Sequence, residues 1–312
     1  MNILITGALG HIGSDLINKI SQIKNSKNIY LIDSARSNNI NILFNLKIKN
    51  KNIFFFNKDL NDKKTLSLIK KKIDIVVHLA SITNAAESFN MKNLIYKNNF
   101  EIFKNIVNFC IKKNAKLIHL SSTSIYGKQS SLVDENCKFL KPQSPYADVK
   151  YLEEKFLKKN KKKIKYISLR LGTITGTSKG MRFHTAVNKF CYNTVLGDVI
   201  PIWNNALDQY RPYLSLNDAI KSIIFIINKD IFDQEIYNVL TKNYTVRQIL
   251  KIIKKQNYKV KIKKTNSPIL NQNSYKVSKE KFGKFKIKFK KDINSDIANT
   301  LKLFKGLNNK KL

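Results

Sequence analysis

The stretch NILITGALGHIGSDLI, residues 2–17, decides the fold class of this chain. The apolar run 2–6 predicts a strand, and the apolar periodicity of 12–24 predicts a helix. Gly7, Gly10 and Gly13 lie between the two, at the turn and the start of the helix. Glycines let the backbone approach a pyrophosphate closely, and the helix N-terminus offers free N–H groups. Alone the pattern is weak evidence, because a glycine-rich turn is often purely structural.

Five more short apolar runs follow and predict further buried strands, at 29–33, 53–57, 74–80, 116–122 and 165–171. Helical patterns occupy most of the intervals, at 62–71, 91–112 and 146–160, whereas 34–52 is expected to be mostly irregular. Strands that are apolar on both faces and separated by helices form a parallel sheet covered on both sides. The predicted fold class is α/β, a doubly wound parallel Rossmann sheet that binds ligands beyond the carboxyl ends of its strands.

Asp33 ends the second predicted strand, twenty residues after Gly13. A carboxylate there accepts hydrogen bonds from the adenosine ribose hydroxyls and repels a 2′-phosphate, which favours NAD over NADP. Arg36 is the opposing signal, because an arginine in this place would attract that phosphate. NAD is therefore the predicted cofactor, with NADP left open.

The alternating rhythm loosens after residue 172. We predict an NAD-binding Rossmann domain over 1–172 and a smaller substrate-binding region over 173–312, with a strand at 235–239 returning to the first sheet. The second region is expected to contain an irregular segment at 199–215 and helices at 183–196, 216–228, 245–255 and 292–307. Thr245 and Asp292 are the expected N-caps of the last two helices.

The net charge of +37 suggests nucleic acid, but the composition argues against it. Only five of the 58 basic residues are arginines, whose planar side chains read phosphates and bases best. The lysines are spread along the whole chain, and the over-use of Lys, Asn and Ile fits A/T-rich codons. We expect a solvated basic surface and no specific nucleic-acid partner.

The sequence points to a protein of the cytoplasm. No run of about 18 apolar residues occurs, so no membrane span is expected, and the N-terminus lacks the pattern of a signal peptide. The 3 cysteines and 4 histidines show no metal-ligand spacing, which indicates reduced thiols and no metal site.

Tyr146 and Lys150 stand four residues apart at the start of a predicted helix and therefore share one face. A lysine ammonium beside a phenol, together with a positively charged nicotinamide, stabilises the phenolate and makes it a usable base near neutrality. The segment HLSSTSIYG (119–127), which is rich in hydroxyl side chains, ends the fifth predicted strand. Its Ser122 lies 24 residues before Tyr146. These side chains are placed to orient a proton transfer from a substrate hydroxyl.

The glycine turn, Asp33, HLA (78–80), SSTSIYG (121–127), YADVK (146–150) and RLGTITG (170–176) together resemble the extended short-chain dehydrogenase/reductases. The resemblance is to their NAD-dependent epimerase/dehydratase group, which acts on nucleotide sugars, and it covers roughly residues 1–250. It implies that Ser122, Tyr146 and Lys150 are catalytic. It implies cofactor contacts at Gly7, Gly10, His11, Ile12, Gly13, Asp33, Asp59, Leu60, Leu79, Ala80, Ser81, Tyr146 and Lys150. The substrate contacts it implies are Thr83, Ser122, Thr123, Tyr146, Arg182 and Arg211.

Departures from the family pattern narrow the expected activity. Family dehydratases carry an Asp-Glu pair directly after the catalytic Thr, where this chain has Thr123 and Ser124. Family epimerases often have a second arginine for the diphosphate near the C-terminal end, but no arginine follows Arg247. The asparagine usual after the sixth strand is Thr173 here, and His184 is either a substrate contact or a surface residue.

The predicted activity is a nucleotide-sugar epimerase that holds NAD tightly, in which hydride leaves sugar C4 and returns to the opposite face. The alternative is a nucleotide-sugar dehydrogenase or 4-keto reductase with exchangeable NAD(P). A third, less favoured possibility is a non-catalytic NAD-sensing protein, against which the intact Ser122, Tyr146 and Lys150 argue. The resemblance further implies a homodimer paired through the helix at 91–112 and the helix after Tyr146.

Overall fold

A parallel sheet of seven strands forms the centre of the computed structural model, which describes residues 1–44, 46, 48, 50–83, 87–204, 206–266 and 274–307. The strands, in chain order, are Asn2–Thr6 (β1), Asn28–Asp33 (β2), Asn52–Asn57 (β3), Ile75–His78 (β4), Lys116–Ser122 (β5), Tyr166–Leu171 and Ile236–Val239. The two-residue strand Leu132–Val133 is β6, so Tyr166–Leu171 is β7. Ile236–Val239 is β11, because three shorter strands described below precede it. The spatial order of the seven strands is β11-β7-β5-β4-β1-β2-β3, and every pair is parallel.

Side chains of β1 alternate between two buried layers, as a sheet covered on both faces requires. Ile3 and Ile5 pack in the core on one side of the sheet, and Leu4 packs in the core on the other. The covering helices of this half are His11–Asn18 (α1), Lys92–Ile95 (α2), Ile102–Lys113 (α3) and Pro145–Lys159 (α4). The doubly wound α/β architecture predicted from the sequence is confirmed.

The second half adds shorter elements to this sheet. Its strands are Thr173–Thr175 (β8), Val199–Trp203 (β9), Tyr210–Ser215 (β10), Lys242–Thr245 (β12), Lys261–Thr265 (β13) and Lys276–Val277 (β14). Its helices are Ala186–Leu196 (α5), Leu216–Lys229 (α6), Val246–Lys254 (α7), Glu280–Gly283 (α8) and Asn294–Leu303 (α9). They enclose a third core, which includes Val187, Tyr213 and Ile249. None of the helices in the described ranges is long and apolar enough to cross a membrane.

Several local predictions were wrong. The segment 62–71 holds only a 3₁₀ turn, Thr65–Leu68. Thr65 and Ile69 are its only buried residues, too few to form the apolar stripe that anchors a helix. The predicted helix 12–24 stops at Asn18 and is followed by the 3₁₀ turn Ile20–Gln22. The segment 199–215 contains β9 and β10 rather than being irregular, since pairing partners distant in sequence complete their ladders.

The ends of other elements also differ from the sequence prediction. The helix expected at 91–112 is continuous but passes through a π-helical turn, Tyr96–Glu101. The helix expected at 183–196 begins at Ala186, and α9 begins at Asn294 with Ile293 as its N-cap residue instead of Asp292. Thr245 does cap α7, in a capping box with Gln248. Within 34–52 only a 3₁₀ turn, Ile40–Leu43, is regular, and residues 45, 47 and 49 lie outside the described residues, as do 308–312 of the predicted second region.

Candidate active site

The glycine turn after β1 brings its backbone against the loop that follows β4. Gly7 has a positive φ of +66°, and a Cβ there would lie 2.5 Å from the Ala80 nitrogen. A Cβ on Gly13 would lie 2.4 Å from the Gly7 oxygen, so the helix N-terminus packs directly on the turn. Only glycine fits at both places. The result is a tight turn that directs the start of α1 at the carboxyl edge of the sheet, the geometry that binds a pyrophosphate.

A cleft of about 570 Å³ opens at this edge of the sheet. Its size falls in the range of small-molecule sites. Among the predicted site residues it is lined by Gly7, Gly10, Asp33, Asp59, Leu60, Leu79, Ala80, Ser81, Thr83 and Arg182. His11, Ile12 and Gly13 lie behind that lining, within or at the start of α1. The cradle and the elongated lining, from the glycine turn to the end of β3, fit an extended dinucleotide.

Asp33 is held at the rim of the cleft by two backbone amides. Its carboxylate accepts hydrogen bonds from the Leu9 nitrogen at 3.0 Å and the Ala35 nitrogen at 2.8 Å. A carboxylate oriented in this way faces the place where the adenosine ribose of a dinucleotide would lie. Arg36, which the sequence left as a candidate for a 2′-phosphate, instead forms an ion pair with Asp59 and a hydrogen bond with Asn98.

Asn99 fixes the loop after β4 along the floor of the cleft. Its amide group accepts a hydrogen bond from the Ile82 nitrogen at 2.8 Å and donates one to the Ile82 oxygen at 2.9 Å. Asn99 lies in the π-helical turn between α2 and α3, a distortion often found at functional sites. These two bonds position Leu79, Ala80 and Ser81 beside the glycine turn.

The segment after β8 covers the glycine turn, which the sequence did not predict. Gly180 donates a hydrogen bond to the Ser14 Oγ at 3.0 Å, and a Cβ on Gly180 would lie 2.5 Å from the oxygens of Leu9 and Gly10. Buried His11 contacts the Gly176 oxygen at 2.9 Å, and burial lowers its pKa to about 4. The glycine in TSKGMR was the available sequence signal, but its partner lies more than 160 residues earlier.

Arg182 extends from this covering segment into the cleft. Its guanidinium donates a hydrogen bond to Thr83, and its Nη2 atom lies 3.6 Å from the position that a Cβ on Gly10 would take. Burial lowers the pKa of Arg182, while the nearby Tyr146 and Asp33 raise it. One cation therefore lies within electrostatic reach of both the predicted ribose carboxylate and the predicted base.

The three predicted catalytic residues meet where β5 ends and α4 begins. Ser122 is the last residue of β5, and its Oγ lies 2.8 Å from the Ser124 Oγ. Ser122 is also near enough to Tyr146 to act on the phenol, whose pKa it lowers. Ser144 caps α4 by accepting a hydrogen bond from the Ala147 nitrogen, which places Tyr146 and Lys150 on its first two turns. The Lys150 Nζ lies 5.9 Å from the centre of the Tyr146 ring.

The electrostatics of Tyr146 differ from the sequence-based expectation. Burial is the largest influence and raises the phenol pKa, and the Glu153 carboxylate raises it further. Lys150, the nearby Ser122 hydroxyl and the charge of Arg182 work in the opposite direction. The net direction in the protein alone is upward. The positive nicotinamide of a bound NAD would add a further charge that favours the phenolate.

Two carboxylates that the sequence analysis did not select lie directly below this group. Glu153 accepts a hydrogen bond from the Lys150 Nζ at 2.8 Å, and its same oxygen contacts the His119 Nε2 at 2.9 Å. Glu154, the next residue, forms a two-bond ion pair with Arg170 and accepts a hydrogen bond from Ser121. The Lys150–Glu153 spacing of three residues was visible in the sequence, but His119 stands in an apolar strand and gave no signal.

One protein family and several individual proteins are similar to this chain in sequence. The family model described as "NAD dependent epimerase/dehydratase family" matches residues 3–239. The chain belongs to this family. A protein named "Putative UDP-glucose 4-epimerase" from Methanocaldococcus jannaschii is 28% identical over 81% of this chain and 81% of its own length. A dTDP-D-glucose 4,6-dehydratase from Dictyostelium discoideum is 30% identical over 77% of this chain and 58% of its own length.

Solved structures of the family share the fold at low sequence identity. A UDP-glucuronic acid 4-epimerase from Bacillus cereus, in complex with UDP-glucuronic acid and NAD, matches with a TM-score of 0.87 at 20% identity, covering 97% of this chain and 98% of its own. The dTDP-glucose 4,6-dehydratase DesIV from Streptomyces venezuelae, with NAD bound, also gives 0.87, at 17% identity with 97% of each chain covered. The fold therefore does not separate epimerase from dehydratase, and only the residues at the site can do so.

Within this NAD-dependent family, the positions after Ser122 bear on the reaction. Thr123 is buried and donates a hydrogen bond to the Leu171 oxygen at 3.2 Å, so its hydroxyl is engaged by β7. Ser124 contacts Ser122 and carries no carboxylate. The acidic pair that serves family dehydratases is therefore missing at these two positions of the site.

Of the predicted substrate residues, Thr83 and Arg182 line the cleft, whereas Ser122, Thr123, Tyr146 and Arg211 do not. Arg211 lies on β10, and its guanidinium stacks on the Tyr275 ring at 4.9 Å. His184 does line the cleft, and its Nε2 lies 3.4 Å from the Thr83 Oγ1. Across the described residues, no group of three or more His, Cys, Asp or Glu side chains is arranged to hold a metal ion.

Proposed function

We propose that this protein is an NAD-dependent epimerase of nucleotide sugars. The observation that carries the proposal is the meeting of Ser122, Tyr146 and Lys150, with Arg182 of the cleft lining within electrostatic reach of both Tyr146 and Asp33. Similarity to a putative UDP-glucose 4-epimerase over four-fifths of both chains supports the choice. A phenol, a hydroxyl and an ammonium in this arrangement are suited to moving one proton from a sugar hydroxyl.

The role of each residue in this reaction follows from its contacts. Bound NAD would supply a reversible hydride acceptor for the sugar carbon that bears the hydroxyl. The Tyr146 phenolate would remove the hydroxyl proton as the carbon is oxidised, and the phenol would return that proton when hydride is delivered to the opposite face. Ser122, which lies near Tyr146 and acts to lower its pKa, would orient the hydroxyl, and Lys150 would stabilise the phenolate.

Thr123 and Ser124 support an epimerase over a dehydratase. Loss of water from a sugar requires an acid and a base beyond the tyrosine, and hydroxyl side chains at neutral pH supply neither readily. Thr123 is, in addition, bonded to the main chain of β7. Ser124 also argues against decarboxylation of a sugar acid, because the family's decarboxylases keep a glutamate at that position.

The test begins with the purified protein and the small molecules that it retains. Mass spectrometry should find NAD bound, and incubation with a panel of nucleotide sugars should give the 4-epimer of one of them without added cofactor. A net change in NADH absorbance that matches product formation would instead identify the protein as a dehydrogenase or 4-keto reductase. No conversion of any nucleotide sugar by protein containing NAD would refute an enzymatic role for this site.

The proposal also assigns a separate binding role to each of the two regions of the chain. Residues 1–172 would bind NAD, and the region 173–312 would bind the substrate. The position of Arg182 in the cleft supports this division, because a residue of the second region reaches the site of chemistry. Arg211 would contact the nucleotide only if the substrate extends past the cleft toward β10, and Arg211→Met should then weaken nucleotide-sugar binding while leaving NAD bound.

The outer faces of α2 and α4 support a homodimer. Leu94 and Tyr96 are 45% and 44% exposed, and the ring series Tyr96–Phe100–Phe156 joins this face to α4. Exposed apolar side chains that adjoin one another are typical of a surface that packs against a second chain. Light scattering at micromolar concentration should give the mass of two chains, and Leu94→Glu should give the mass of one. A monomeric parent protein would refute the proposal.

A further inference from the structure

Lys150 and Glu153 form a buried ion pair underneath the proposed base. The side chains are 6% and 1% exposed, so water does not screen the pair. A lysine needed only to contact a cofactor ribose has no requirement for a buried carboxylate on its other side. Burying a second charge is costly unless the geometry is good and every remaining hydrogen bond is made. The Oε2 atom of Glu153 has two such contacts, with the Lys150 Nζ at 2.8 Å and the His119 Nε2 at 2.9 Å.

His119 and Ser168 extend the pair across the sheet. His119 lies on β5 and is fully buried, with its Nε2 2.9 Å from the Glu153 carboxylate and its Nδ1 2.9 Å from the Ser168 Oγ on β7. A carboxylate only accepts hydrogen bonds, so the His119 Nε2 donates to it. In the neutral ring, Nδ1 then accepts from the Ser168 hydroxyl. The chain Lys150–Glu153–His119–Ser168 thus joins α4 to two neighbouring strands.

Charged and titratable groups on the covering segment, α4 and β4 face this chain. Burial acts to lower the pKa of Lys150, but Glu153 and then Tyr146 raise it, and the net direction is upward. Burial acts to raise the pKa of Glu153, but Lys150 and His119 hold it below its ordinary value. The other groups that face the chain are Arg182 on the covering segment, Glu154 on α4 and His78 on β4, which burial keeps neutral with a pKa of about 3.

We propose that Glu153, held by His119 and Ser168, is a positioning residue that keeps Lys150 charged and holds its ammonium beside Tyr146 during the epimerase reaction. The inference rests on the proposed function for the reaction itself, but the ion pair exists in the protein before any ligand binds. Lys150 has three N–H donors, and Glu153 occupies one of them. The others remain for the cofactor ribose and for stabilising the phenolate.

Electrostatics predicts the direction in which removal of the Glu153 charge shifts the pKa of Tyr146 and of Lys150. A nearby negative charge raises the pKa of a phenol and of an ammonium alike, so its loss lowers both. The acid limb of the rate profile reports the Tyr146 phenolate, and the alkaline limb reports the Lys150 ammonium. Glu153→Gln, which keeps the size and most hydrogen bonds of the side chain, should therefore move both limbs to lower pH by about one unit or more.

The experiment measures kcat against pH for the holoenzyme and for Glu153→Gln, Glu153→Asp and Glu154→Gln. Glu154→Gln is the matched control, because that carboxylate is equally buried on the same helix but binds Arg170. It should move the limbs much less than Glu153→Gln. Glu153→Asp keeps the charge and draws it back by one methylene, so kcat should fall about tenfold while both limbs stay within roughly 0.3 unit of the parent values.

Three results would overturn the proposal. The first is a Glu153→Gln profile whose acid and alkaline limbs lie at the same pH as in the parent protein. The second is a Glu153→Asp profile whose limbs move by half a pH unit or more. The third is an equal shift of the limbs in Glu153→Gln and Glu154→Gln. If Glu153→Gln does not fold, the Glu153→Asp result still decides, since a purely structural carboxylate gives no reason for a changed kcat with an unchanged profile.

A second measurement separates this inference from the proposed function. The pKa of Tyr146 can be followed in the protein without substrate by NMR of tyrosines labelled at ¹³Cζ, with the signal assigned by its loss in Tyr146→Phe. Glu153→Gln should lower that pKa by about one unit. If no nucleotide sugar is converted but this shift is found, the proposed function fails and the positioning role stands; the reverse pattern rejects the positioning role alone.

Discussion

Two cation–carboxylate pairs stand near the edge of the same sheet, and they differ mainly in their access to water. At the end of the cleft where we propose that the adenosine binds, Arg36 and Asp59 have side chains 55% and 38% exposed. At the catalytic end, Lys150 and Glu153 are 6% and 1% exposed. Water screens the first pair, which therefore contributes less than about 1 kcal/mol. The second pair keeps its full local influence, and breaking it leaves an uncompensated buried charge.

The difference follows from the elements that carry each pair. Arg36 lies in the loop after β2, and within the described part of the chain its guanidinium donates hydrogen bonds only to Asp59 and Asn98. Lys150 and Glu153 lie on α4, one turn apart, and α4 packs on β5. The exposed pair of Arg36 and Asp59 is thus held by few contacts, and the buried pair of Lys150 and Glu153 by a helix packed on the sheet. We therefore expect small effects of substitution at the exposed pair and large effects at the buried pair.

The largest effect is expected at the proposed base. Tyr146→Phe removes the oxygen that transfers the proton but keeps the ring, so kcat should fall by about 10²–10⁴-fold while NAD stays bound. Lys150→Met should lose activity and also lose cofactor, because it removes the ammonium from the nicotinamide ribose site. Turnover and NAD content per subunit measure the two effects. Near-normal turnover in both variants would mean that the pair has only a structural role.

A large loss of stability is expected at the neighbouring buried pair. Glu154→Gln leaves Arg170 buried without its counter-charge, and the free energy of unfolding should fall by about 3–5 kcal/mol in urea titrations. Glu235→Gln is the control, because its pair with Lys281 is half-exposed, with side chains 53% and 31% accessible. That variant should lose less than about 1 kcal/mol. Similar losses in the two variants would contradict the role assigned to burial.

Buried histidines predict a dependence of stability on pH. Burial lowers the pKa of His78 to about 3, whereas an unfolded histidine titrates near 6.5. Between these values the unfolded chain binds the additional proton, so stability is complete above pH 6.5 and falls as the pH decreases. His78→Gln should flatten the slope of unfolding free energy by about 1.4 kcal/mol per pH unit. Parallel slopes for parent and variant from pH 6 to 4 would reject this assignment.

The smallest effect is expected at the exposed pair. Asp59→Asn frees Arg36 from its ion pair, and because that pair is solvent-screened the affinity for NADP should rise less than about fivefold. Asp33→Ser, which removes the carboxylate facing the ribose, should raise NADP affinity more than Asp59→Asn does. Calorimetric titration of both variants with NAD and NADP compares them. A larger gain in Asp59→Asn would make Arg36, rather than Asp33, the residue that selects the cofactor.

Local sequence patterns were sufficient for the sheet and for much of the site. The strands of the first half are apolar on both faces, and the glycines between β1 and α1 need no distant partner to form their turn. Tyr146 and Lys150 share a helix face because of their spacing alone. Patterns failed at 62–71 and 199–215, where the outcome depended on whether a distant surface was available to pack or pair with.

The sequence by itself determined the parallel sheet, its glycine turn and the phenol–ammonium pair, because each depends on residues close together in the chain. Only the tertiary structure decided which groups surround that pair. Glu153 contacts His119, which is 34 residues away in the chain. Gly180 covers the glycine turn and bonds to Ser14, which is 166 residues away. Such contacts leave no periodic signal, since they form when separate elements pack, and the charge of Glu153 on Lys150 and Tyr146 becomes strong only when that packing excludes water.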